Sequence, residues 1–222
     1  MSLSLNQIES TARKAVRGAG LYWGLAEDAG RAVSRLEMAG LPGMRWLAEL
    51  LDNVDHQNPE VCRLECRNNT WHAANGLLSP LVAGPNLADW IYSPVRIPGD
   101  AHWRLLGVVC PKLLIGYTSI AVLLSANPFR LGWGQTRVAV APDHLQISGP
   151  LDHSGPSDVI VAAKQDTDIS DQGAIRYSFK VAACEVDRCT LDVLESLAYR
   201  TYVEATESSR LSGAGAGLSD ND

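Results

Sequence analysis

A change of hydrophobic period along the chain does most to limit its possible folds. Leu5, Ile8, Ala12, Ala15, Val16 and Ala19 recur at helical spacing, as do Trp23, Ala26, Ala29, Val33 and Leu36, and then Leu47, Leu50, Leu51 and Val54. Between residues 100 and 185 the period shortens to two: Tyr177, Phe179 and Val181 alternate with Ser178, Lys180 and Ala182, the pattern of a strand wet on one face. Leu191, Leu194, Leu197 and Ala198 restore the helical spacing. This pattern predicts an α+β chain with an N-terminal helical cluster (1–55), a central antiparallel sheet (100–185, mainly strands), a C-terminal helix (186–203) and a Gly-rich tail (204–222). With 222 residues the expectation is a single domain.

Local signals set the expected boundaries. Asn6 and Glu9 have capping-box spacing at the start of the first helix, and Gly18 and Gly20 stop it. Gly40 closes the second helix, and Pro42 suits the first turn of the third. From Asn53 to Asp100 five prolines break the pattern, leaving a helical turn at Ala88–Tyr92, capped by Asn86, within loop. Strands are predicted over Leu105–Val109, Ile115–Leu124, Arg130–Ala141, His144–Ile147, Asp158–Ala163 and Ala174–Ala183, with a hairpin joining Arg137–Val140 to Leu145–Ile147. The last helix is expected from Asp187 to Tyr202, capped by Asp187 or Thr190.

A formal charge of −6 and a pI near 5.3 repel a phosphate backbone, which disfavours nucleic acid as a partner. The apolar run Leu113–Ala126 contains Gly116, Tyr117, Thr118 and Ser119 and falls short of the ~20 apolar residues of a spanning helix, so no membrane segment is expected. The start MSLSLNQIES lacks the pattern of a secretory leader, and the five cysteines are an odd set without disulfide spacing; both suggest a cytoplasmic chain with reduced thiols. Cys62 and Cys66, near His56 and His72, do not match a zinc-ligand spacing, and no metal site is predicted. Cys110 reads as a buried small hydrophobe unless His102 or His144 approaches it. No motif assigns a cofactor, which leaves it unknown.

Two Gly-rich segments, each with an arginine, carry the candidate site. In the first, Arg17 precedes a helix-to-helix corner with four glycines, Gly18, Gly20, Gly24 and Gly30, where free N–H groups can meet an anion. The structural alternative is close helix packing with Arg17 paired to Glu27. In the tail, Gly213 and Gly215 allow close backbone approach and Arg210 offers a bidentate fork to a carboxylate. Arg17, Arg210, Gly213 and Gly215 are therefore the expected substrate-binding residues, with Glu27 the candidate general base. Asn75, Asn86, Asp89, Arg96, Asn127 and Arg130 form a further polar set that either converges on a pocket at the sheet edge or serves turns.

The runs KAVRGAGLYWGLAEDAGRAV and YRTYVEATESSRLSGAGAGLSDND resemble an uncharacterised bacterial family, domain-of-unknown-function family 3726. The resemblance implies a place in small-molecule catabolism beside dehydrogenases of the lactate/malate type, and assigns no catalytic residue. Two functions are expected on these grounds. The first is an enzyme acting on a small anionic metabolite, such as a hydroxy or amino acid. The alternative is a non-catalytic accessory protein of a metabolic enzyme such as a dehydrogenase, with Trp23, Trp46, Trp90, Trp103 and Trp133 as interface anchors and a homo-oligomer as one arrangement.

Overall fold

The computed structural model describes residues 1–54, 56–58, 60, 63–93, 102–152, 155–163 and 173–202. The chain runs β1 (Ser2–Ser4), α1 (Leu5–Gly18), α2 (Trp23–Met38), α3 (Gly43–Asn53), β2 (Leu64–Arg67), β3 (Thr70–Ala73), α4 (Pro80–Tyr92) and β4 (His102–Val108). A 3-10 turn, Pro111–Leu113, leads into α5 (Leu114–Ser125), followed by β5 (Phe129–Trp133), β6 (Thr136–Val140), β7 (His144–Ser148), β8 (Ser157–Ala163), β9 (Ile175–Ser178), β10 (Ala183–Glu185) and α6 (Arg188–Tyr199). The fold is α+β, and the described strands form an eight-stranded sheet, β2-β3-β4-β8-β5-β6-β7-β9, and a separate β1-β10 pair.

The helical spacing locates α1, α2, α3 and α6 as expected. Ile8, Ala12, Ala15 and Val16 of α1 are buried, with α2 and α6 packed against this helix. Its cap lies two residues earlier than expected: Ser4, not Asn6, accepts from Gln7 N at 3.3 Å, and the Gln7 side chain accepts from Ser4 N at 2.9 Å. Asp187 caps α6 by accepting from Thr190 N at 2.8 Å. The third helix begins at Gly43, capped from a distance by the buried Glu37, whose carboxylate accepts from Met44 N at 2.9 Å.

Four expectations in the middle of the chain are corrected. Residues 115–124, expected as a strand, belong to α5: α2, α4 and the inner face of the sheet bury Leu114–Ser119, Ala121 and Val122, and the exposed Leu123 and Leu124 are apolar too, so the helix has no polar stripe to read. Gly116 lies against the backbone of Ala32 in α2, and Gly84 of α4 lies under the Tyr117 ring. The expected turn at Ala88–Tyr92 is the end of a longer helix, α4, whose cap is Ser79; Pro80 fits its first turn and Pro85 is tolerated inside. The region expected as loop also holds the β2–β3 hairpin, which turns through Asn68 and Asn69, both at positive φ. Finally, the sheet is mixed rather than antiparallel, because β3 and β4 pair in parallel across the α4 connection.

Two long predicted strands are each divided. Residues 130–141 fold back as β5 and β6 through Gly134, while the predicted hairpin between β6 and β7 is present. Residues 174–183 break after β9, where Lys180 and Val181 donate to the Met38 carbonyl at the end of α2, and the chain then joins the small sheet. One face of the large sheet carries Trp103, Leu105, Phe129, Leu131, Val138, Val140, Leu145, Val159 and Val161, all buried. The other face is open, and its residues position the candidate site.

Candidate functional site

Strand register brings four arginines onto the open face. Arg104 pairs with Ile160, Ile160 with Gly132, and Gly132 with Arg137, giving one row across β4, β8, β5 and β6. The next row joins Ala162, Arg130, Ala139, Gln146 and Arg176. At ~4.8 Å between neighbouring strands, Arg104 and Arg137 stand about 14 Å apart with only Ile160 and Gly132 between them. Arg104, Arg130 and Arg137 line one cavity of about 270 Å³ together with Gly132, Ala162 and Asp158.

Small residues make that cavity. Gly132 lets Arg137 lie across the neighbouring strand, since a Cβ there would sit 3.3 Å from Arg137 Cδ. Arg137 is held in place by donating from Nη1 to the carbonyls of Gly134 at 3.0 Å and Thr136 at 2.8 Å. The exposed Arg104 guanidinium makes no hydrogen bond or ion pair among the described residues. Asp158 supplies the one carboxylate among the described lining residues, and its Oδ1 accepts from Gly107 N at 3.0 Å. Among the described lining residues three guanidinium groups stand beside one carboxylate, on a chain whose formal charge is −6. The volume equals that of roughly nine water molecules at about 30 Å³ each, room for a small metabolite.

The expected site at the helix corner has a different character. Arg17 does not pair with Glu27: its Nη1 donates to the Leu21 carbonyl at 3.0 Å and its guanidinium lies 5.6 Å from the Trp23 ring centre. Glu27 is exposed rather than shielded from water. The corner does meet the far end of the chain, because Gly18 lies against the Leu197 backbone and Lys14 Nζ donates to the Tyr202 hydroxyl at 3.0 Å. Arg210, Gly213 and Gly215 lie outside the described residues.

A larger cavity of about 470 Å³ adjoins this corner, lined by Ala19, Asp52, His56, Gln57, Ser196 and Arg200 among others. The C-terminal ends of α1, α3 and α6 border it, each equivalent to roughly half a negative charge, and Asp52 adds a full one. Arg17 and Arg200 stand where helix C-termini favour cations, so an anion gains less here than on the sheet. His56 Nδ1 is 2.9 Å from the Val54 carbonyl and Nε2 is 2.9 Å from Ser79 Oγ. The carbonyl only accepts, so Nδ1 carries a proton, and Nε2 shares a hydrogen bond with the Ser79 hydroxyl. Ser79 is 0% exposed and also caps α4, which makes this pair a structural link between loop and helix.

The other expected residues scatter. Asp89 lies on α4, and Arg130 alone of the mid-chain polar set reaches the sheet cavity; Arg96 is outside the described residues. Cys110 approaches neither His102 nor His144: its thiol donates to the Trp46 carbonyl at 3.8 Å, and burial pushes its pKa up to about 12. Of the five tryptophans proposed as anchors, Trp46, Trp103 and Trp133 are buried, Trp90 packs against Trp103 and Phe129, and Trp23 is exposed beneath Arg17. Among the described residues no cluster of three or more His, Cys, Asp or Glu could hold a metal ion, and no helix is long and apolar enough to cross a membrane. Sequence reasoning missed Arg104 and Arg137. Their signal was an arginine at the wet position of an alternating strand, visible only once the strands were correctly divided.

The N-terminal helices and the first hairpin carry a match to a protein family. Residues 3–76 match the family DUF3726, described as a protein of unknown function. The DUF3726 match takes in α1, α2, α3, β2 and β3 and includes the run 14–33, but stops short of the C-terminal run and of the sheet cavity. No curated protein matches the chain. Among solved structures it is similar to malate dehydrogenase from Entamoeba histolytica, at 10% identity and a TM-score of 0.42, over 73% of this chain and 49% of that one. The chain thus spans about half the length of that structure, and a likeness this slight carries no argument about fold or chemistry.

Proposed function

We propose that this chain recognises a small anionic metabolite, of the hydroxy-acid or amino-acid class, through Arg104, Arg130 and Arg137 on the open face of its sheet. The observation that carries the reading is the convergence of these three arginines on one cavity floored by Gly132 and Ala162. A guanidinium presents a planar fork that matches a carboxylate, and charge-assisted hydrogen bonds are the strong ones. The formal charge of −6 on the chain opposes a phosphate backbone, so a small carboxylate suits this face better than nucleic acid.

Calorimetric titration of hydroxy and amino acids into wild type, Arg104→Ala and Arg137→Ala tests the reading. Each substitution removes charge-assisted bonds worth about 1.5–3 kcal/mol, so affinity falls by about tenfold or more without a change of fold. Unchanged affinity in both variants refutes the sheet site. Turnover of the bound acid by the purified protein alone marks an enzyme, and activity only with an added dehydrogenase marks the accessory role.

The corner formed by Arg17 and Glu27 with the tail residues Arg210, Gly213 and Gly215 is the competing place for the same ligand, favoured by the Lys14–Tyr202 contact that brings the end of α6 onto α1. Truncation after Ser209 separates the two. Binding on the sheet survives it, and binding at the corner does not.

A further inference from the structure

Four large aromatic side chains stand in solvent at the corner where α1, α2 and α6 meet. Tyr22 is 81% exposed, Trp23 51%, Tyr199 75% and Tyr202 59%. The helices bring them together. Lys14 and Arg17 are about one turn apart on α1 and so share a face. α6 crosses α1 where Gly18 meets the Leu197 backbone, which sets the Tyr202 ring centre 5.0 Å from Lys14 Nζ and 6.0 Å from that of Tyr199. On the other side, the α1–α2 turn lays Trp23 under Arg17, which is tied to the Leu21 carbonyl. Rings and cations thus share one continuous surface. At roughly 200 Å² for each large aromatic side chain, these exposures leave roughly 500 Å² of aromatic surface in water, toward the top of the range for the largest patch on a monomer.

We propose that this corner is the interface of a homodimer, in which a two-fold axis sets the Lys14–Arg17 face of each copy against the tyrosines and Trp23 of the other. A two-fold contact uses the same patch twice, so the patch must complement itself. This one does, since it holds both partners of a cation–π pair, and Tyr, Trp and Arg are the side chains that anchor interfaces. The exposed carboxylates of Glu27, about one turn after Trp23, and Glu195, about one turn before Tyr199, flank the cations. A second copy therefore brings opposite charge as well as rings. The area agrees. Full burial on two copies removes roughly 1,000 Å² of aromatic surface before the stems of Lys14 and Arg17 are added, which reaches the size a specific interface needs. The corner is built by α1, α2 and α6, so the arginine cavity on the sheet takes no part in the contact.

Sedimentation velocity of the full chain from about 1 to 100 µM, the weak end of the range for interfaces, tests the proposal. The expected species has twice the 23.9 kDa mass of the chain. Tyr22→Ser and Tyr199→Ser change side chains that the fold leaves mostly in solvent; each removes one anchor per copy and weakens the association by about tenfold or more. Tyr92→Ser, at an exposed tyrosine of α4, and Arg104→Ala associate as wild type does. A corner covered instead by residues 203–222 or by another protein gives a monomer throughout that range, which overturns the proposal. An assembly of more than two copies, undiminished association in either corner variant, or an equal loss in Tyr92→Ser overturns it too. None of these outcomes bears on the sheet site, which ligand titration of Arg104→Ala tests by itself.

Discussion

Gly24 and Gly116 both lie inside helices, and the same substitution at each is expected to have opposite signs. Alanine is favoured over glycine in a helix by up to about 1 kcal/mol, because the glycine backbone loses more freedom on folding. At Gly24, in the first turn of α2, a Cβ meets nothing within 4 Å, so Gly24→Ala gains about 0.5 kcal/mol. At Gly116 the Cβ would lie 2.4 Å from the Ala32 carbonyl oxygen and 2.9 Å from its carbon, atoms of α2 that cannot rotate away. Gly116 itself is buried, with α2 and α4 packed on this part of α5, which restricts any shift that would relieve the contact. Overpacking of this kind costs about 1–3 kcal/mol, which exceeds the helix-propensity gain and leaves a net loss of about 1–2 kcal/mol. For a chain of this size each kcal/mol moves the melting temperature by about 2–4 °C, so the two variants should melt roughly 3–10 °C apart. Differential scanning calorimetry at matched concentration measures the gap. If Gly116→Ala melts at or above the wild-type temperature, the close approach of α5 to α2 is wrong.

Glu37 gives a pH dependence with a definite sign. Burial raises its pKa above the ordinary 4.5 despite hydrogen bonds from Met44 and Gly43, so the folded state binds the proton more tightly than the unfolded chain. Wild type therefore loses stability as pH rises from about 4.5 through the raised folded value, and Glu37→Gln, which keeps an acceptor for Met44 N, does not. Urea titrations at pH 4 and pH 7 should show the variant gaining on wild type at the higher pH, and the opposite trend rejects the assignment. For the thiols, Cys66 and Cys189 are exposed while burial lifts Cys110 to about 12, so a disulfide reagent at pH 8 labels the first two in the native protein and reaches Cys110 only after unfolding. Mass spectrometry of the labelled peptides reads this out, and prompt native labelling of Cys110 contradicts it.

What the sequence disclosed depended on whether an element has a polar wet side. α1, α2, α3 and α6 each face solvent along one stripe, so their spacing was readable, and Asp187 announced its own cap. α5 is apolar even where Leu123 and Leu124 meet solvent, and the β-branched residues Ile115, Thr118, Ile120 and Val122 then favour a strand. Pro80 and Pro85 hid α4 because proline was read as a breaker, although Pro80 occupies the turn where its missing N–H costs nothing. The parallel β3–β4 pairing had no local signature, since the two strands are joined across a whole helix. The site followed the same logic. Arg130 was picked out as a polar residue, but its association with Arg104 and Arg137 depends on β8 entering between β4 and β5, a non-local choice of strand order.

The pairing of Leu3 with Cys184, and the packing of α1 on α6, also set a timetable for synthesis. A ribosome moving at about 5–20 residues per second needs roughly 10–40 seconds to travel from the first strand to the last helix. Throughout that interval the side of α1 destined for α6 has no cover from its final neighbour, while α2 and α3 are already available. The nascent chain must carry an unfinished helical layer until α6 has been made. Loop closure over most of the chain length then becomes one of the last events in folding rather than one of the first.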